Sequence, residues 1–129
     1  MSSRKILVVD DDDAVRGVLR AMLERGGFEV LEAANGNAAS SVQRQTPADL
    51  LITDLIMPER EGLETISAFR RDFPGVGIIA ISGAFGGAFL NAARLLGADA
   101  VLPKPVSAAK LLEVAGRLLE ETALQRRPV

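Results

Sequence analysis

Four aspartates, Asp10 to Asp13, follow the apolar run Ile6-Leu7-Val8-Val9 without a break, and Asp54 closes a second run, Leu50-Leu51-Ile52-Thr53. Ser82 follows Val76 to Ile81, and Lys104 stands just past Ala100-Val101-Leu102. Each run is short and continuously apolar, as in a strand covered on both faces. In an open parallel sheet, functional groups collect beyond the carboxyl ends of the strands. Asp10, Asp11, Asp54, Ser82 and Lys104 would then share one edge. Two carboxylates ~5 Å apart repel by roughly 3 kcal/mol at an effective dielectric near 20. Such a cluster calls for a cation, or for one acid to stay protonated. Oxygen ligands without nitrogen or sulfur favour Mg²⁺, which keeps waters of its own and leaves room for a phosphoryl oxygen. Taken singly, each residue has a plainer use. Asp12 or Asp13 suits a helix N-cap, Asp54 a turn, Lys104 a solvated surface and Ser82 a turn hydroxyl. Capping and the helix dipole account for one or two acids, not a run of four.

The elements that must position these groups follow from hydrophobic spacing. After the first strand, Val15, Val18, Leu19, Met22 and Leu23 have helical spacing, and Gly26-Gly27 ends it. Phe28 to Ala33 predicts a second strand, and Asn35-Gly36 leads into an alanine-rich helix around Ala38, Ala39 and Val42. Gly62 precedes a third helix carrying Leu63, Ile66 and Phe69. A fourth carries Phe89, Ala92, Ala93 and Leu96, and a fifth Leu111, Leu112, Ala115, Leu118 and Leu119. Five alternations of strand and helix predict an α/β fold, a parallel sheet with helices on both faces. One domain is expected over residues 1–129, with its core at about 4–121 and a tail at 122–129 in which Leu124 to Val129 fray.

Composition removes whole classes of chemistry. Among 129 residues there is no cysteine and no histidine, so no disulfide, zinc–thiolate site, Ser-His triad or Cys-His pair forms within the chain. Fifteen basic against seventeen acidic residues, a net charge of −2, leave no surplus for nucleic acid or anionic lipid. The apolar start, Ile6 to Val9, is too short for a signal peptide. Between Asp72 and Arg94 no charge occurs, but Pro74, Asn91 and five glycines dilute the stretch, which parses as strand, loop and helix rather than a membrane span. A reducing, cytoplasmic setting is expected.

The motifs Lys5-Ile6-Leu7-Val8-Val9-Asp10-Asp11-Asp12, Asp54-Leu55-Ile56-Met57-Pro58 with Gly62, and Leu102-Pro103-Lys104-Pro105 occur in order and resemble the receiver domain of two-component response regulators, chemotaxis-regulator-like and single-domain. The resemblance runs from about Arg4 to Glu121. It implies the flavodoxin-like strand order 2-1-3-4-5. It also implies that Asp54 accepts a phosphoryl group from a phosphohistidine of a sensor histidine kinase or histidine phosphotransfer protein. Asp11, Asp54 and the backbone carbonyl of Ile56 would hold Mg²⁺, with Asp10 assisting mostly through water. Lys104 and Ser82 would contact the phosphoryl oxygens, and the Lys104-Pro105 peptide would be cis. Pro103 suits an edge strand. A signalling domain rather than an enzyme is implied, with only self-catalysed phosphoryl transfer and slow autodephosphorylation.

Departures from the family pattern carry their own expectations. Val101 stands where the family often has an aromatic switch residue. The loop Gly83-Ala84-Phe85-Gly86-Gly87 predicts a mobile connection, with Phe85 packed under it or standing in for the missing ring. Ile56 and Ala84 lack polar groups to orient an attacking water, which favours a long-lived phosphoryl group. Output would pass to a downstream protein through the face of the fourth helix, fifth strand and fifth helix, with a homodimer as a further option. A haloacid-dehalogenase-type Mg²⁺ phosphatase is the enzyme alternative, because Asp11-Asp12-Asp13-Ala14-Val15 fits D-x-D-x-V; Gly75-Val76-Gly77-Ile78-Ile79-Ala80 fits a dinucleotide fingerprint but opens a strand. A receiver-shaped interaction module working unphosphorylated is the remaining reading.

Overall fold

A computed structural model describes residues 4–55, 61–83 and 86–125. Strands and helices alternate as β1 (Lys5–Val9), α1 (Asp13–Arg25), β2 (Glu29–Ala33), α2 (Gly36–Gln45), β3 (Leu50–Asp54), α3 (Glu61–Asp72), β4 (Gly77–Ser82), α4 (Gly86–Leu96), β5 (Ala100–Pro103) and α5 (Ala108–Gln125). All pairings are parallel and the strand order is β2-β1-β3-β4-β5. The first βαβ turn puts β2 outside β1, the next crosses to β3, and the sheet then grows outward to β5. Two crossovers in opposite directions leave a crevice at the carboxyl ends of β1 and β3.

Strand periodicity divides the core in two. Ile6, Val8, Leu50, Ile52, Ile79, Ile81, Ala100 and Leu102 point to one face and pack on Leu19 and Leu23 of α1 and on Leu111, Ala115 and Leu118 of α5. Leu7, Val9, Leu51, Ile78 and Ala80 point to the other, against Ala39 of α2, Ile66 and Phe69 of α3 and Ala93 of α4. Burial on both faces is what selects unbroken apolar strands.

Helix ends follow local chemistry. The Asp12 carboxylate accepts from the N–H groups of Ala14 and Val15 and caps α1, while the Asn35 side chain accepts from the Ala38 N–H and caps α2. Gly27, at φ 92°, and Gly97, at φ 124°, turn the chain out of α1 and α4 in a backbone region closed to most side chains.

Element limits differ from the sequence reading in three places. β2 starts at Glu29, not Phe28, whose ring packs half-buried against the α1–α5 cluster. Asp54 and Ser82 are the last residues of β3 and β4, not loop residues beyond them, because each strand pairs with its neighbour to its final residue. α5 continues to Gln125, so the expected frayed tail from Leu124 begins inside a helix; residues 126–129 lie outside the described residues. Among the described residues no helix is long and apolar enough to cross a membrane.

Candidate functional site

Strand alternation also decides where the charged groups go. Asp10 continues the row Ile6, Val8; Asp54 continues Leu50, Ile52; Lys104 continues Ala100, Leu102. All three leave the sheet on the α1–α5 side, at the carboxyl ends of β1, β3 and β5. Ser82 continues the opposite row, Ile78 and Ala80, at the end of β4. Its carbonyl accepts the Lys104 N–H at 2.9 Å, which fixes the start of the β5–α5 connection. The Lys104-Pro105 peptide is cis, as the resemblance implied.

One oxygen from each of Asp10, Asp11 and Asp54 lies within 4.8 Å of the others. Lys104 Nζ stands 3.0 Å from Asp54 Oδ2 and 3.9 Å from Asp10 Oδ2. Asp10 and Asp54 are 1% and 6% exposed, whereas Asp11 faces solvent, so the cluster is a pocket with one open lip. Desolvation pushes the Asp10 carboxyl above the usual carboxylate value. The Asp12 N–H opposes that shift, Asp54 adds to it, Lys104 opposes it and Asp11 adds again. Asp10 Oδ1 accepts the Asp12 N–H at 2.9 Å, while Asp10 Oδ2 and the Ser82 hydroxyl are buried without a hydrogen-bond partner. Three acids against one ammonium, all-oxygen donors and an orphaned carboxylate oxygen fit a hard divalent cation.

The expected site residues Asp10, Asp11, Asp54 and Lys104 are therefore brought together, with Ser82 on the adjoining strand end. Ile56, Met57 and Pro58, and the loop positions Ala84 and Phe85, lie outside the described residues. Val101 is half-buried against the α2–α3–α4 cluster. Asp13, second acid of the phosphatase-like pattern, is largely exposed and pairs with Arg16 instead of joining the pocket.

Several features of the site go beyond what the sequence reading singled out. Gly62 has a reason its motif does not state: a Cβ there would meet the Asp54 carbonyl oxygen at 2.4 Å and Leu55 Cα at 2.6 Å. The first turn of α3 thus presses on the backbone that carries Asp54, and only glycine admits the approach. The Thr53 hydroxyl, fully buried, donates to the Asp54 carbonyl at 3.1 Å. Beside Lys104, an apolar cleft of about 720 Å³ opens between α1 and the β5–α5 connection, lined by Val15, Val18, Met22, Ile81, Pro105 and Val106. Val18, part of the helical stripe in sequence, is 55% exposed there. Arg16, on the inner face of α1, donates to the Asp10 carbonyl. Its pairing across 16 residues to Glu32 leaves no signature in spacing.

Comparison with known proteins agrees with this geometry. The family model for the response regulator receiver domain matches residues 6–115. The chain is 39% identical over 111 residues to a response regulator receiver protein of Anaeromyxobacter sp. (strain Fw109-5), covering 86% of this chain and 47% of that protein. It is 37% identical over 125 residues to the sensor kinase CckA of Brucella abortus (strain 2308), covering 92% of this chain and 13% of that protein. The chain thus spans half or less of these two relatives. A CheY-like response regulator receiver domain protein of Methanospirillum hungatei JF-1 superposes with a TM-score of 0.89 at 30% identity, over 96% of this chain and 99% of that one.

Proposed function

Since the chain belongs to the response regulator receiver domain family of two-component signalling, we propose that Asp54 is its phosphoryl acceptor. Mg²⁺ would be held by Asp11, Asp54 and the Ile56 carbonyl, with Asp10 acting mostly through water. The reading is carried by the ion pair of Lys104 with Asp54, 3.0 Å long, beside the three-carboxylate cluster.

The transfer breaks the N–P bond of a phosphohistidine on a donor protein and forms an O–P bond at an Asp54 carboxylate oxygen, the imidazole leaving with the electron pair. Receiver domains generally bind Mg²⁺ at their acidic pocket; when bound it supplies a divalent charge facing the phosphoryl oxygens. Lys104 swings from the carboxylate to a phosphoryl oxygen, and the unpartnered Ser82 hydroxyl donates to another. Loose phosphoryl transfer needs chiefly this positioning and neutralisation. Burial disfavours the charged form of Asp10, and a cation held beside it would offset that cost.

The donor is a sensor histidine kinase or histidine phosphotransfer protein, and the apolar cleft against Lys104 offers it a seat next to the acceptor. Output passes through the face of α4, β5 and α5, where Leu95 is 86% exposed, to a downstream protein or a second copy of the chain. Phosphorylation adds about −1.5 to −2 charge and new acceptors, enough to bias a two-state loop and helix. Nothing in the charge balance favours nucleic acid, and a cytoplasmic location suits a cysteine-free chain. The domain signals rather than turns over substrate, and the apolar Ile56 and Ala84 favour slow loss of the phosphoryl group.

Incubation with Mg²⁺ and a small acyl phosphate, followed by intact mass, tests the assignment. One phosphoryl group is expected on the parent and none on Asp54→Asn or in excess chelator. Undiminished labelling of Asp54→Asn would overturn it, as would steady turnover of a phosphate monoester.

A further inference from the structure

We infer that Arg16 is a positioning residue for the cation pocket, acting through the backbone of Asp10; this rests on the reading that the acidic cluster takes Mg²⁺. Arg16 points from α1 back towards β1 and uses every edge of its guanidinium. Nη1 donates to the Asp10 carbonyl at 2.6 Å, Nε donates to Glu32 Oε1 at 2.9 Å, and Nη2 donates to Asp13 Oδ1. The side chain is 15% exposed. Glu32, at the edge strand β2, is held from its other oxygen by Arg20. Asp13 and Glu32 therefore fix the plane of the fork, which aims Nη1 at the carbonyl before Asp11.

The consequence falls on Asp11, the exposed member of the cluster. Its two flanking peptide groups are both tied: the Asp10 carbonyl by Arg16, and the Asp12 N–H by Asp10 Oδ1. Asp12 is in turn committed to capping α1, and its carbonyl accepts the Arg16 N–H. An exposed carboxylate on an untied turn would lose orientation entropy each time it took a ligand. With both neighbouring peptides pinned, Asp11 is already directed at the oxygens of Asp10 and Asp54. Partners of this kind, one layer behind the ligands, change metal affinity by roughly 10- to 100-fold.

Charge alone predicts the opposite outcome. Arg16 is a cation close to an acidic pocket, so its removal would tighten Mg²⁺ binding if only the field mattered. If the pinned carbonyl matters more, removal weakens binding despite the added negative potential. The sign of the change separates the two.

Mg²⁺ is titrated into the full chain and followed by amide shifts in ¹⁵N-edited NMR spectra, well below each variant's unfolding temperature. Arg16→Ala is expected to bind Mg²⁺ about tenfold more weakly than the parent. Arg16→Lys, with one point charge for three acceptors, falls in between. Arg20→Ala, which strips Glu32 of its second arginine without touching Asp10, binds as the parent does. Should Arg16→Ala not fold, Arg16→Lys against Arg20→Ala gives the same sign. Unchanged or tighter binding by the Arg16 variants overturns the inference, as does an equal loss in Arg20→Ala. A parent that takes no Mg²⁺ at all overturns the reading of the pocket, and the inference with it.

Discussion

The two ends of the sheet both carry aspartates and use them in opposite ways. At the amino end, Asp49 Oδ2 accepts the Lys5 N–H at 3.0 Å, and Asp99 Oδ2 accepts the Ile78 N–H at 2.8 Å. Arg70 closes that end: it pairs with Asp99 at 2.9 Å and donates to the carbonyls of Pro74, Val76 and Gly97. Those acids are spent on strand starts. At the carboxyl end, Asp10 Oδ2 and the Ser82 hydroxyl are buried without a hydrogen-bond partner, and one lysine serves two acids. Satisfied carboxylates hold a fold together, whereas under-satisfied ones keep capacity for something from outside.

Substitutions at the two ends should therefore differ in sign. Asp99→Ala should have the largest effect, a loss of about 2 kcal/mol in urea denaturation, because the Ile78 N–H loses its acceptor and Arg70 a partly exposed pair. Phosphorylation of the folded fraction should be unaffected. Asp10→Asn should instead stabilise the Mg²⁺-free protein at pH 7, by about 1 kcal/mol, while weakening Mg²⁺ binding. Its pH dependence is fixed in sign. The folded-state carboxyl lies above its ordinary value of 3.8, so the folded state holds this proton more tightly than the unfolded chain. Asp10 thus lowers stability as pH climbs from that value through its raised folded one. The advantage of Asp10→Asn should shrink as pH falls towards 3.8, and equal denaturation midpoints at pH 7 would break the contrast. Ser82→Ala should move stability least, within about 0.5 kcal/mol, since it removes an unpaired hydroxyl; slower phosphorylation at unchanged midpoint would show that the hydroxyl serves the phosphoryl group.

Strand existence and the convergence of Asp10, Asp11, Asp54 and Lys104 were legible because continuous apolar runs alternating with helical stripes put those residues at strand ends, whereas the strand order came from the family resemblance. Strand ends were less so: Asp54 and Ser82 look like turn residues, yet ladder pairing carries both strands to their last polar residue. Arg16 and Arg70 look like ordinary surface charges, because their partners at Asp10, Glu32, Gly97 and Asp99 meet them only after the sheet and helices have packed. The Gly62 contact was hidden for a related reason. A missing Cβ matters only where another backbone comes close.

Pro103 has a bearing on life at high concentration. The Lys104 N–H turns inward to Ser82, so alternation turns position 103 outward along the free rim of β5. A foreign strand laid against that rim would find a ring carbon where it needs a donor, on a ribbon only four residues long. Recruitment of a sixth strand, and with it fibrous stacking of one sheet on the next, is blocked at that rim by a residue that the domestic ladder never misses.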